Sequence, residues 1–102
     1  MKDCCKNYLN EQFGGDEEII GEIYAEYVAS LGVKIAEAKD ALAKSDWSQL
    51  DKAAHTIKGN ALAAGDTDMA DKAIALRNVA KLQSADTAAG YIADLEKLST
   101  LL

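Results

Sequence analysis

Proline is absent from this chain of 102 residues. Nothing in it therefore removes a backbone donor from the interior of a helix. Aromatic side chains make up only 6 % of the residues, too few for the ring-rich cores of many sandwiches and barrels. Cations are outnumbered, 11 against 17 acids, for a net charge of −6. That balance excludes non-specific nucleic-acid binding, which needs clustered Lys and Arg to displace counterions. No stretch approaches the ~20 apolar residues that span a bilayer, so no membrane association is expected. The start, Met1-Lys2-Asp3-Cys4-Cys5, has an early acid and no apolar run behind it. It is not a secretory signal, and a cytoplasmic location is the expectation. The two cysteines, Cys4 and Cys5, are adjacent. Neighbouring cysteines rarely bridge, and two further ligands for a zinc site are missing, so two free thiols near a frayed end are expected. Linkers, repeats and low-complexity tracts are also absent.

Hydrophobic residues supply 49 % of the chain, with alanine at 19 positions. Alanine loses no side-chain entropy in a helix, and the length suits one domain with a sizeable core. The spacing predicts an all-α fold. A short helix covers Lys6 to Gln12, and Gly14-Gly15 ends it. Asp16 caps the next helix, with Glu17 and Glu18 in its first turn, where the dipole favours acids. Ile19, Ile20, Ile23, Tyr24, Tyr27 and Val28 form its apolar stripe. The stripe runs on through Leu31, Ile35, Ala38 and Leu42, so Gly32 either bends one long helix or separates two. Ser45 or Asp46 caps a helix from Trp47 to Ala64, and Gly65 stops it. Asp66 or Thr67 caps a further helix carrying Met69, Ala73, Leu76 and Ala80. After the polar break Gln83-Ser84-Ala85-Asp86, the last helix carries Tyr91, Ile92, Leu95, Leu98, Leu101 and Leu102. Short connections between long amphipathic helices imply antiparallel neighbours. The expected architecture is an antiparallel up-down four-helix bundle over residues 16–102, preceded by a short extra N-terminal helix within residues 1–15, all in one domain. A monomer is expected.

The helix from Trp47 carries the only histidine of the chain. Leu50, Ala54, Ile57, Ala61 and Ala64 recur at helical spacing and stay within about 40° of one line at ~100° per residue. On the same wheel His55 lies about 140° away, on the polar side. Asp51, one turn before it, and Lys58 and Leu62, one and two turns after it, share that side. Gly59 sits almost opposite the core. A mid-helix glycine costs ~1 kcal/mol relative to alanine, and close approach of another backbone or a bulky ligand beside His55 is a physical use for it.

A neutral imidazole is nucleophilic, and its ordinary pKa of about 6.5 keeps much of it neutral near pH 7. It can take a phosphoryl group on nitrogen. The product adds about two negative charges, which a cation one turn away offsets. Lys58 has that spacing. No phosphate-binding glycine loop and no acidic Mg²⁺ cluster stands beside His55. The residues suit a carrier whose partner supplies the metal and the catalysis, with no cofactor of its own and no metal-binding residues.

The run Leu50-Asp51-Lys52-Ala53-Ala54-His55-Thr56-Ile57-Lys58-Gly59, followed by Asn60-Ala61-Leu62-Ala63-Ala64-Gly65, resembles the signature of the histidine phosphotransfer (HPt) domain. That signature is Ala-His, a hydrophobic residue, Lys-Gly, and a second glycine six residues on. Ser45-Asp46-Trp47 and Ala73-Ile74-Ala75-Leu76 resemble its flanks, and the likeness runs from about Asp16 onward. The resemblance implies a four-helix bundle that takes a phosphoryl group from the aspartyl-phosphate of a receiver domain and passes it to another receiver. It implies that His55 is the phosphoacceptor, through Nε2, that Lys58 steadies the phosphate, and that Gly59 makes room for the receiver. Leu62 and the residues around the histidine, Asp51 and Lys52 among them, would form the docking surface. The partner would be the receiver of a response regulator or of a hybrid histidine kinase, bringing Mg²⁺, its aspartate and its lysine. Asn60 and Arg77 depart from the pattern, standing where the family usually has a small residue and a glutamate. Two readings of Arg77, on the next helix, stand open: a solvated surface arginine, the commoner case, or a second cation that faces His55 and helps bind the phosphate or the receiver's acidic pocket.

Other readings are weaker. An interaction module that is never phosphorylated has no reason to keep the imidazole. The phosphoacceptor domain of a chemotaxis-type kinase would require the chain to be an excised fragment. A hydrolase lacks a nucleophile or orienting acid at motif spacing around His55. Tyr24, Tyr27 and Tyr91 are read as core packing. Asp16, Glu17, Glu18, Glu22 and Glu26 are read as a cap and a solvated face.

Overall fold

Five α-helices and no strands make up the protein in a computed structural model that describes residues 1–102. They are α1 (Asp3–Phe13), α2 (Glu17–Ala43), α3 (Trp47–Ala64), α4 (Thr67–Leu82) and α5 (Ala85–Ser99). The starts of α2, α3 and α4 follow from side chains that replace missing intrahelical partners. The carboxylates of Asp16, Asp46 and Asp66 accept hydrogen bonds from the backbone N–H of Ile19, Gln49 and Met69. Ser45 does not cap α3; its backbone lies at φ 55° in the preceding turn. Gly65 ends α3 at φ 74°, a conformation open to glycine because it has no Cβ. A Cβ there would also collide with the Tyr8 side chain of α1.

The helix α2 contacts α3 and α5, and α4 contacts the same two, so that the four close a ring around a shared core. At ~1.5 Å per residue the 27 residues of α2 span nearly the full 43 Å length of the molecule. Gly32 does not divide that helix into two, because α2 runs unbroken through it from Glu17 to Ala43. The core holds the α3 stripe Leu50, Ala54, Ile57, Ala61 and Ala64, joined by Ala53. It faces Tyr27, Leu31, Ile35, Ala38 and Ala41 from α2, Met69, Ala73, Leu76 and Ala80 from α4, and Ala88, Ile92 and Leu95 from α5. Alanine-rich faces let the helix axes approach closely, and close packing there sets the positions of everything on the outside.

Several expectations need correction. The helix α1 starts at Asp3, before Lys6. The N-terminus is not frayed: Cys5 and Leu9 are fully buried where α1 packs on α2 and α3. Ile19 and Val28 are exposed, since the α2 stripe is narrower than the run of apolar residues suggests. Leu101 and Leu102 lie past the end of α5; the first is exposed and the second packs against the core. Tyr27 is in the core, and Tyr24 and Tyr91 pack against it half-buried. The acids Asp16, Glu17, Glu18, Glu22 and Glu26 are all exposed.

Candidate functional site

The site is built on the outer face of α3, and the buried stripe of that helix aims it. Leu50, Ala54 and Ile57 are fully buried, which fixes the rotation of α3 about its axis. His55 then stands exposed midway along the helix. Asp51, Lys52, His55, Thr56 and Arg77 line one open depression of about 380 Å³ with no hydrophobic lining residue. Thr56 turns its hydroxyl inward to donate to the Lys52 carbonyl at 3.1 Å.

Across the depression, Arg77 comes from α4, which packs against α3 through Leu76 and its neighbours. The half-buried guanidinium is held at two points. Its Nε donates to Asp51 Oδ1 at 3.0 Å, and its Nη1 lies 3.1 Å from His55 Nδ1. The hydrogen bond and charge of Arg77 hold the Asp51 carboxyl below its ordinary value, against the opposing effect of burial. Lys81 and His55 add smaller attractions in the same direction. Asp51 is thus an anchor for Arg77, a role with no local signature, because the two residues are 26 positions apart.

Lys58 is one turn beyond His55 and half-buried, with no carboxylate at ion-pair distance. Gly59 is exposed, and a Cβ built on it would meet nothing within 4 Å. A side chain at that position would not touch the imidazole of the free protein, so the space has no internal use. Leu62, an apolar residue, is 52 % exposed. Lys52 is exposed. Asn60 has a structural role: its Nδ2 donates to Ser30 Oγ at 2.9 Å and ties α3 to α2.

A second polar cluster lies at the start of α4. Asp66 is completely buried. Its Oδ1 accepts from Lys2 Nζ at 2.7 Å and its Oδ2 from Tyr27 Oη at 2.8 Å. Ligand atoms of Cys4, Cys5 and Asp66 lie within 4.8 Å of one another. The donor set is poor for a metal all the same. Both oxygens of Asp66 are committed, and burial together with the charge of Asp66 pushes the Cys5 thiol up to about 12. A thiol in that state is neither a ready ligand nor a nucleophile. The cluster holds α1 to the bundle.

An exposed imidazole on a rigid helix, with cations around it and open space beside it, can take a group from a partner that docks on it. No helix is long and apolar enough to cross a membrane. The family model for the Hpt domain matches residues 22–102, which covers α3, α4, α5 and most of α2. No curated protein and no solved structure matches the chain.

Proposed function

We propose that this chain, which belongs to the Hpt domain family, is a histidine-containing phosphocarrier in a phosphorelay, with His55 as the group that is phosphorylated. Hpt domains carry phosphoryl groups and do not catalyse the transfer themselves. The observation that carries the reading for this chain is the placement of His55: exposed at the middle of α3, with Arg77 across from it, Lys58 one turn on, and the empty space over Gly59. The helices α2 to α5 are read as the up-down antiparallel four-helix bundle of the family. Their ring of contacts and their connections of two or three residues support that topology.

In this reading a receiver domain docks over Leu62, Gly59, Lys52 and Asp51. The Nε2 lone pair of His55 attacks the phosphorus of the receiver's aspartyl-phosphate. A nitrogen–phosphorus bond forms, the bond from phosphorus to the acyl oxygen breaks, and the aspartate leaves with the electron pair. The reverse step passes the group to the next receiver. Lys58 and Arg77 offset the added negative charge. The one carboxylate in the depression, Asp51, is engaged by Arg77, so this chain offers no Mg²⁺ donor set at His55. The ion belongs with the receiver. A cytoplasmic monomer fits such a partner, which is the receiver of a response regulator or a hybrid kinase.

Incubation with a phosphorylated receiver, followed by intact-mass measurement of the wild type and His55→Gln, tests the proposal. An acid-labile gain of one phosphoryl group that is lost in the variant is the expected result. Binding of a receiver with no gain of mass would instead make the chain an interaction module.

A further inference from the structure

Arg77 meets His55 on the nitrogen opposite the one that would carry the phosphoryl group. Its Nη1 is 3.1 Å from Nδ1. A guanidinium has five donors and no acceptor, and it does not lose its proton in proteins. Nδ1 must therefore accept, with its lone pair facing Arg77. A neutral ring in that state carries its only proton on Nε2, and Nε2 then has no lone pair in the ring plane to attack with. The contact is held from behind, because Arg77 Nε donates to Asp51 Oδ1 at 3.0 Å. Of the other charged groups around the ring, Lys52 and Lys58 are cations and offer Nδ1–H no acceptor, and the Asp51 carboxylate is engaged by Arg77 Nε. No acid of α2 or α5 bonds to the imidazole.

We infer that Arg77, anchored by Asp51, is a tautomer lock on His55 that slows the uptake of a phosphoryl group and then prolongs its retention. The inference rests on the reading of His55 as phosphoacceptor and adds how that site is regulated. At rest the proton is on Nε2. Uptake requires Arg77 to leave Nδ1 and the ring to exchange protons with water, so that Nδ1 gains one and Nε2 loses one. Nε2 then takes the phosphoryl group as the aspartate oxygen departs with its electron pair. The ring at that moment is a cation with its proton on Nδ1. Water removes the proton, Nδ1 recovers its lone pair, and Arg77 returns to it. Loss of the phosphoryl group needs the opposite, a proton on Nδ1 so that a neutral imidazole can leave. Arg77 opposes that protonation by its charge and by occupying the lone pair. A carboxylate on the docked receiver is the chemistry that would draw Arg77 away.

Arg77 is a positioning residue in this scheme, and its effect is read directly on the ring. With one histidine in the chain, the two imidazole ¹⁵N shifts are unambiguous. Wild type is expected to show Nε2–H with Nδ1 unprotonated, and Arg77→Glu to invert the pattern to Nδ1–H. Arg77→Ala is expected to load from a phosphorylated receiver faster, and to lose the phosphoryl group faster, each by roughly three- to tenfold, the range set by one net hydrogen bond. Asp51→Asn keeps Arg77 but frees it, and shifts both rates the same way by less. Slower loading in Arg77→Ala would mean a cation that only binds phosphate and would overturn the lock. So would Nδ1–H in the wild type, or a ring pattern that Arg77→Glu leaves unchanged. Absence of loading in every variant overturns the carrier reading, whereas an unchanged ring pattern overturns the lock alone.

Discussion

Lys2 Nζ lies 2.7 Å from Asp66 Oδ1, joining residues 64 positions apart at the junction of α1 and α4. The Asp66 carboxylate has no exposure to solvent. A buried charge is tolerated only when it is paired and hydrogen-bonded, and here Lys2 supplies the charge while Tyr27 Oη and the Met69 N–H complete the shell. The same carboxylate caps α4. The N-terminal helix is thereby part of the folded unit, although it lies ahead of the stretch that the Hpt family model matches.

Lys2→Met keeps the apolar stem but strands the Asp66 charge. The expected loss is about 3 kcal/mol, the low end of the range for breaking a buried pair, because water still reaches part of Lys2. Tyr27→Phe should lose about 1 kcal/mol, the net worth of one hydrogen bond. Urea denaturation measures both. Equal midpoints for wild type and Lys2→Met would show that α1 is not held this way.

Alkali should unfold the protein earlier than its lysine content suggests. Burial pushes the Cys5 thiol from 9.0 up to about 12, and burial also raises the Tyr24 and Tyr27 phenols. Lys2 is raised too: burial acts to lower it, but the hydrogen bond and charge of Asp66 outweigh that. For each group the unfolded chain releases its proton first as pH rises. Their contributions are intact below the unfolded values and are lost above them. Stability is therefore expected to be level up to about pH 9 and to fall from there toward the folded value of Cys5, about 12. Urea midpoints taken across this window check it, and Cys5→Ala should delay the onset of the decline. A level curve to pH 12 would contradict the assignment.

Gly59→Ala should make the protein more stable and worse at its task. The Cβ has nothing within 4 Å to strike, and alanine in a helix interior is favoured by about 1 kcal/mol. A larger side chain such as Gly59→Leu would occupy the space a receiver needs. Loading is expected to fall at least tenfold, since a displacement of ~1 Å at a reacting group can cost about 100-fold. A Gly59→Leu variant that loads normally would remove the glycine from the docking surface.

Lys58→Ala should slow loading by only about twofold at low salt, because a single charge one helical turn away on a helix surface contributes a few tenths of a kcal/mol. The effect should vanish near 1 M salt, where screening extends to about 3 Å. A larger loss that persists at high salt would mean a direct contact with the phosphoryl group.

The helices and the exposure of His55 were legible because both depend on local spacing. Leu50, Ala54, Ile57, Ala61 and Ala64 lie on one line of α3 whatever that helix packs against, and all are buried. The caps were legible for the same reason, with a choice left open between Ser45 and Asp46 that the turn at Ser45 decides. Cys4 and Cys5 are free thiols as expected, but the end that carries them is packed, not frayed. A short polar helix has little to mark it as buried until the surface it covers is known, and here that surface is the end of α3 with Gly65 beneath Tyr8.

By itself, then, the sequence determined an all-helical chain, one buried stripe on α3 and a lone imidazole on the face away from it, since helical periodicity is a property of neighbours three and four apart. Only the tertiary structure decided which nitrogen of His55 meets Arg77, 22 positions along, that Asp51 holds Arg77 in place, and that Lys2 closes over Asp66. Side chains that far apart in the chain meet only after packing has set the rotation and offset of each helix, and a hydrogen bond forms or fails within a few tenths of an ångström of that outcome.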